Sequence, residues 1–561
     1  MSNLIQTAKD NLKDIIQAAY EKAVSEGVLP SGALVSDVES PRDPSHGDWA
    51  SGFALASAKV LGKPPRVIAE AVAARALLDG SYFSSLEIAG PGFINARLSE
   101  HWYTAVLDDI AAQRDTYGHV DVGRGRRVMV EFVSANPTGP MTIGNARGGV
   151  LGDTLASVLS AAGYDVWREF YLNDAGHQVD LFGRSLEARY LQALLGEDAC
   201  VFPEDGYHGD YVKDIAKAFI EVNGDQYVSR SEAERRSALV AFGLPQNVAR
   251  MEHDLNRYRI TYDRWFAESS LHESGYVQKT IDLLKEKGCT YEKDGALWFR
   301  ATDFGGDKDD VLIKSNGFYT YYAVDIAYHR DKFVERSFDT AIDVLGADHH
   351  GHALRFKAAL LALGIEESRL RFVLMQMVRL IRDGEVVKVS KRTGKAITLS
   401  DLLDEISVDA ARFFFNMRPS DTHLEFDMGL AVRQDPDNPV YYVQYAHARI
   451  ASLLKTLLGE GYPVPDTADL SLLCEPAERE LIKALAGYPE EIRLAARDFD
   501  PSRINRYAVE LAGAFHRFYN AHRIKGSDRP LAEARLVLTT AVRQVLRNAL
   551  GILSIDAPEE M

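Results

Sequence analysis

Two stretches carry side chains whose types and spacing suit phosphate chemistry. The first, residues 128–153, reads VMVEFVSANPTGPMTIGNARGGVLGD. Val128, Val130 and Phe132 alternate as in a buried parallel strand. Ser134, Asn136, Pro137, Thr138, Gly139 and Pro140 then form a turn-rich loop that continues neither strand nor helix. Gly144, Asn145, Arg147, Gly148 and Gly149 lead into a helix expected from about Val150. Strand, glycine-bearing loop and helix start together present backbone N–H groups to phosphate. The second stretch, residues 386–395, reads VVKVSKRTGK. Lys388, Lys391, Arg392 and Lys395 flank Ser390 and Gly394, a pattern suited to a lid whose cations reach a polyphosphate. A third cluster, Asp348, His349, His350 and His352, follows an apolar run at 340–346. Its spacing is poor for one tetrahedral metal site, and its place at the carboxyl end of a strand favours a small-molecule pocket.

Residues 1–112 read as a small α+β unit. An amphipathic helix opens the chain, a second helix carries Ala54, Ala56, Leu61 and Ile68, and two strands flank Gly90-Pro91-Gly92. Residues 120–433 alternate strand and helix. The strand at 166–172 closes a βαβ unit and implies a parallel sheet, and Asn173-Asp174-Ala175-Gly176 is expected to cap the next helix. Residues 183–285 read as a charged helical insertion. Strands are expected again at 297–300, 311–313, 319–322 and 340–346, with a helix carrying Asp325 before the last. A helix is expected from Leu402 to Arg412. After a boundary at 434–439 the chain is almost wholly helical.

The net charge is −17, yet between Arg503 and Arg547 nine Lys/Arg face three Asp/Glu, a local nucleic-acid footprint in an acidic protein. Three distant cysteines (Cys200, Cys289, Cys474) fit neither a disulfide framework nor zinc spacing, and suit a reducing cytoplasm. No apolar run approaches the ~18 residues of a membrane span.

Two phosphate loops, an α/β core and a helical C-terminal region resemble a class I aminoacyl-tRNA synthetase, and among these the bacterial arginyl-tRNA synthetase family. The likeness rests on EFVSANPTGP, REFYLNDAGHQVD, TYYAVDIAYH, GADHHGHALRFKAAL, KVSKRTGKAITLSDLLDE, DAARFFF and VYYVQYAHARI. DPSHGDWA, IAGPGFINARLS and SIDAPEEM extend it to both ends. It implies a multidomain α/β protein. An N-terminal tRNA-binding unit (1–112) would precede a Rossmann-like catalytic domain with a helical insertion (120–433), and an all-α anticodon-binding bundle (434–561) would follow. The implied reaction joins L-arginine to ATP as arginyl-adenylate, with tRNA bound, then passes arginine to the 3′ end of tRNA(Arg). Mg²⁺ would accompany ATP, with no structural zinc, in a cytoplasmic monomer.

By the same resemblance Glu131, Ser134, Asn136, Tyr321, Asp325 and His349 form the arginine pocket, with Asp325 and Glu131 as charge partners of the substrate. Pro137, Thr138, Gly139, Thr142, Gly144, Asn145, Ser390 and Lys391 bind ATP, and Lys388, Lys391, Thr142 and Asn145 are catalytic. Phe93 and Asn95 match the contact to the tRNA D-loop corner; Tyr442, Tyr445, Arg449, Tyr519, Arg523 and Met561 match the anticodon surface. One motif departs: the family's His-Ile-Gly-His reads Thr142-Ile143-Gly144-Asn145. The hydroxyl of Thr142, or a neighbour such as His350, His352 or Arg147, is then expected to serve the phosphates. The alternative is a synthetase-like protein that binds tRNA, or regulates, without charging it.

Overall fold

The computed structural model describes residues 3–41, 43–347, 350–387 and 397–561, with backbone only at 44 and 350–354. Five parallel strands form the central sheet in the order Leu370–Met375, Thr340–Gly346, Arg127–Glu131, Asp165–Leu172, Arg264–Ala267. From Arg127–Glu131 the chain winds one way through two strands, then returns to the other side of its starting strand. That reversal opens a crevice at the carboxyl ends of Arg127–Glu131 and Thr340–Gly346, where open α/β sheets bind ligands.

The helix after the first strand spans Ile143–Ala161, seven residues earlier than the glycines suggested. Gly149 and Gly152 lie inside it because the helix presses on the sheet. A Cβ at Gly152 would stand 2.2 Å from the Phe132 ring, and one at Gly149 2.9 Å from Ile260. These glycines are needed for close packing.

Three other expectations change. The strand Arg264–Ala267 lies within the stretch read as helical and pairs in parallel with Asp165–Leu172. Tyr321 and Tyr322 open a helix, Tyr321–Arg330, capped by Thr320, and only Tyr319 makes an isolated bridge. Residues 173–176 do lead into the helix His177–Leu195, with Gly176 at its N-cap, but no side chain caps it. The Asp174 carboxylate instead takes the N–H and hydroxyl of Ser269, the first residue of the short helix Ser269–Glu273. The helices His177–Leu195, Asp210–Asn223 and Glu232–Arg257 enclose their own core, which includes Phe182, Leu186, Tyr190 and Phe219.

The N-terminal unit pairs a four-stranded antiparallel sheet with helices Leu4–Ser25, Phe53–Leu61 and Pro65–Ala73. The expected second helix is two, broken at Gly62 in the left-handed region. Likewise Leu399–Glu405 and Val408–Phe415 replace one helix near 402–412. Helices Pro439–Gly459, Pro476–Ala486, Tyr488–Asp498, Ser502–Ala521 and Arg529–Ile552 build the C-terminal bundle. One apolar core runs from the N-terminal unit through one face of the sheet into this bundle. The Tyr117 hydroxyl donates to Leu485 O at 3.1 Å, and Lys483 pairs with Asp48. Arg412, fully buried, donates to Leu553 O (2.8 Å), Tyr258 O (2.9 Å) and the Asp153 carboxylate of the Ile143–Ala161 helix. Among the described residues no helix is long and apolar enough to cross a membrane.

Candidate active site

At the crevice three acids stand side by side on three neighbouring strands. Glu131 is the register partner of Asp343 on one side and of Glu169 on the other. All three are buried. Such a row is tolerated only if cations and donors meet it. The Tyr321–Arg330 helix and the π-helical turn after it, Asp331–Glu335, supply them. Lys332, with no exposed surface, donates to Glu131 (2.6 Å) and Asp343 (2.9 Å). His329 Nε2 lies 2.8 Å from Asp343. Arg336 grips Glu169 with both terminal nitrogens (2.5 and 2.9 Å), and Tyr328 adds its hydroxyl at 2.6 Å. Burial alone would raise the Asp343 carboxyl, but Lys332 and His329 outweigh it and hold it well below the usual carboxylate range.

The mouth is different. Tyr321 and Asp325 lie one turn apart on the same helix, as their spacing implied. Tyr321 is 53% exposed and lines a cavity of about 760 Å³ with Glu268, His272, His177 and Gly176. Asp325 is half-buried. Among the described residues its carboxylate has neither a hydrogen-bond donor nor an ion-pair partner. Burial raises its pKa to about 7, and negative Glu268 and Glu131 add to the rise against His329 and Lys332. Glu268 is buried beside it, and burial also raises its pKa, although the Tyr171 hydroxyl donates to it at 2.7 Å. His272 Nε2 lies 3.7 Å from Glu268, and among the described residues no lysine or arginine pairs with either acid, an arrangement suited to a planar, doubly donating cation.

Glu131 has Lys332 on one oxygen and the Ser134 hydroxyl on the other (2.9 Å), and Glu268 is a further acid near Asp325. Sequence reading missed Glu268, Tyr171, Lys332 and Asp343. Glu268 directly follows the short strand Arg264–Ala267, where the sequence pattern predicts helix, and an acid at a strand's carboxyl end is its available signal. Ser134 also accepts from Tyr171 N at 3.2 Å, so it ties the loop to the next strand. Val133 and Ser134 both have positive φ (68° and 41°), a strained turn of the kind held at functional sites. Asn136 is exposed beside them.

Thr142 is the N-cap of the Ile143–Ala161 helix. Its hydroxyl donates to Asn145 Oδ1 at 2.9 Å and accepts from Asn145 N, a reciprocal capping box. The expected hydroxyl contact to phosphate is therefore committed within the helix cap. The Asn145 amide keeps both N–H donors unengaged among the described residues. Arg147 is no substitute: it is buried and donates to Gln376 O, Pro419 O and Thr422 O. Burial lowers its pKa to about 10. Pro137 and Thr138 are buried and Gly144 exposed. Lys388, Ser390, Lys391 and His349 lie outside the described residues, and the side chains of His350 and His352 do too. The chain just past the lysine stretch is placed: Thr398 bridges Thr142, and Leu399 N donates to Met141 O at 2.9 Å. Residues 398–399 are thereby anchored to the first phosphate-type stretch. Among the described residues no three His, Cys, Asp or Glu side chains converge on a metal position.

In the bundle, Tyr445, Arg449, Tyr519 and Met561 line one cavity of about 1200 Å³, with the Arg449 guanidinium 4.5 Å from the Tyr519 ring. Tyr442 packs on His516 (ring centroids 5.1 Å apart), and Arg523 is exposed outside that cavity. Phe93 is 42% exposed, whereas Asn95 is only 4% exposed and turned into the N-terminal unit, so Asn95 is not presented at the surface.

Residues 107–423 match the family model described as tRNA synthetases class I (R), catalytic domain. Residues 10–98 match the arginyl tRNA synthetase N terminal domain, and residues 443–561 the DALR anticodon binding domain. Curated relatives named arginine–tRNA ligase from Acetivibrio thermocellus and Caldanaerobacter subterraneus are 51% and 53% identical, with 100% of both chains covered in each case. The fold is similar to that of Thermus thermophilus arginyl-tRNA synthetase, with a TM-score of 0.73 at 22% identity over 98% of this chain and 100% of that one. With a class I catalytic domain, both flanking modules and full-length likeness at about half identity, the chain belongs to the arginyl-tRNA synthetase family.

Proposed function

We propose that this protein is an arginine–tRNA ligase that activates L-arginine with ATP and transfers it to the 3′ end of tRNA(Arg), tRNA being bound before activation. The observation that carries the pocket is the pair Asp325 and Glu268, acids that have no lysine or arginine partner among the described residues, at the ligand end of a sheet whose other acids are all paired. They hold the substrate guanidinium, with Tyr321 and His349 alongside. Glu131 and Asn136 take the α-ammonium end, and Ser134 keeps Glu131 in place.

The substrate carboxylate attacks the α-phosphorus of ATP, an O–P bond forms, and pyrophosphate leaves. A ribose hydroxyl of the tRNA terminus then attacks the carbonyl carbon and AMP leaves. Rate comes from positioning and charge stabilisation. The backbone of Thr138, Gly139 and Gly144, the Asn145 amide, Ser390 and the ammonium groups of Lys388 and Lys391 surround the phosphates. Mg²⁺ enters with ATP. Phe93 and Tyr442, Tyr445, Arg449, Tyr519, Arg523 and Met561 hold tRNA in the modules 1–112 and 434–561, around a catalytic unit at 120–433. The protein works as a cytoplasmic monomer, for which its three free cysteines are suited.

Full-length likeness to ligases supports this reading over a relative that binds tRNA without charging it. The test is attachment of labelled arginine to tRNA by the natural protein and by Thr142→His. Charging by the natural protein is expected. Tight tRNA binding without charging would overturn the ligase, and charging with another amino acid would overturn the pocket.

A further inference from the structure

The helices at 177–257 have a core of their own, and only the end of the last one, through Met251 and Leu255, joins the core on the sheet among the described residues. They nevertheless reach back to the loop after the first core strand. Tyr211, in the first turn of Asp210–Asn223, donates its hydroxyl to Thr138 O at 2.6 Å. Asn247, inside Glu232–Arg257, donates its amide to Pro137 O at 3.0 Å. Asn247 is 2% exposed and Thr138 3%. Asparagine is a poor helix-interior residue, and a buried amide is tolerated only when bonded, so its place in this helix is explained by what it holds. Gly139 completes the contact: a Cβ there would lie 2.9 Å from the Tyr211 oxygen.

Among the described residues no peptide bond is cis. In a planar trans peptide the N–H points opposite to the C=O. Fixing the carbonyls of Pro137 and Thr138 toward the helices therefore aims the N–H groups of Thr138 and Gly139 to the other side of the loop. We propose that this helical insertion is a brace for the nucleotide loop, and that Tyr211 and Asn247 are positioning residues that aim its backbone donors at ATP. The inference rests on the assignment of residues 137–139 to ATP.

The test uses the full chain and the variants Tyr211→Phe, which keeps the ring, and Asn247→Ala. MgATP affinity is measured by calorimetric titration, and the KM for ATP and for arginine by pyrophosphate exchange with tRNA present. Loss of one buried hydrogen bond predicts a roughly 5- to 30-fold weaker MgATP Kd and higher KM for ATP, with the KM for arginine changed less than about twofold. Gly139→Ala is expected to cost more beside Tyr211 than in the Tyr211→Phe background, where the crowding oxygen is gone. Unchanged MgATP affinity in both variants, or parallel shifts in both KM values, would overturn the brace. If the natural chain fails to activate arginine, the assigned reaction falls, while the MgATP titration still decides the brace.

Discussion

The floor and the mouth of the crevice treat acids in opposite ways. On the floor, Glu131, Glu169 and Asp343 meet Lys332 and Arg336, together with a tyrosine hydroxyl and an imidazole. At the mouth, among the described residues, Asp325 and Glu268 have no lysine or arginine partner: Glu268 meets the Tyr171 hydroxyl and, at 3.7 Å, the His272 imidazole, while Asp325 has no direct partner. Both sets hang on one helix and its π-helical extension. The floor shows how this helix is seated, and the mouth shows what the seat is for. An acid left without a lysine or arginine partner is the stronger pointer to the charge of a ligand, whereas Glu131, already held by Lys332, serves the seat of the helix as well as the substrate assigned to it.

The comparison is tested hardest at Lys332. Replacing it with methionine strands two buried carboxylates, and a loss of about 3–5 kcal/mol is expected in chemical unfolding. Adding Asp343→Asn should return part of that loss. Full stability in Lys332→Met would mean that the floor is not held by charge. Asp325→Asn predicts the reverse pattern. The kcat/KM for arginine should fall by roughly 100-fold or more, tRNA affinity should hold, and the melting temperature at pH 8 should not drop. A lower melting temperature would place Asp325 with the floor.

A smaller effect follows from proton linkage. Asp325 binds a guanidinium only when ionised, and its pKa in the free protein is about 7. Arginine binding should therefore weaken as pH falls through about 7, by up to about tenfold per pH unit, and Asp325→Asn should flatten that profile. Calorimetric titration across this range checks it. The smallest effect is expected at Thr142, whose hydroxyl serves a helix cap. Thr142→Ala should cost about 1 kcal/mol of stability and only a few-fold in rate. A much larger loss of rate at unchanged stability would return Thr142 to the phosphates.

The legible parts of this site were those written locally. Tyr321 and Asp325 are four residues apart, and helical spacing alone puts them on one face. The alternation of Val128, Val130 and Phe132 identified the strand that ends in Glu131. The helix start was misread because Gly144, Gly148 and Gly149 look like loop residues, and only the Phe132 ring and Ile260 behind the helix explain its small residues. The strand Arg264–Ala267 has four residues set among charged helices, too few to display a period. Glu268 disappeared with it. Lys332 was out of reach for another reason: its bond to Glu131 spans 201 residues, and no local pattern announces such a pair. The brace at Tyr211 and Asn247 was hidden in the same way, across 73 and 110 residues.

Arg412 gives this architecture an order in time. Its guanidinium needs Asp153, which is made before it, and Leu553, which follows 141 residues later. Translation at about 5–20 residues per second leaves about 7–30 s between the two events. During that interval Asp153 and Tyr258 are already present, but the Nε of a group destined for complete burial keeps water as its partner, and the helix that begins beside Thr142 lacks its final anchor. An interrupted chain that stops short of Leu553 thus carries every residue assigned to arginine and ATP, yet cannot seal the seat of the helix that presents them.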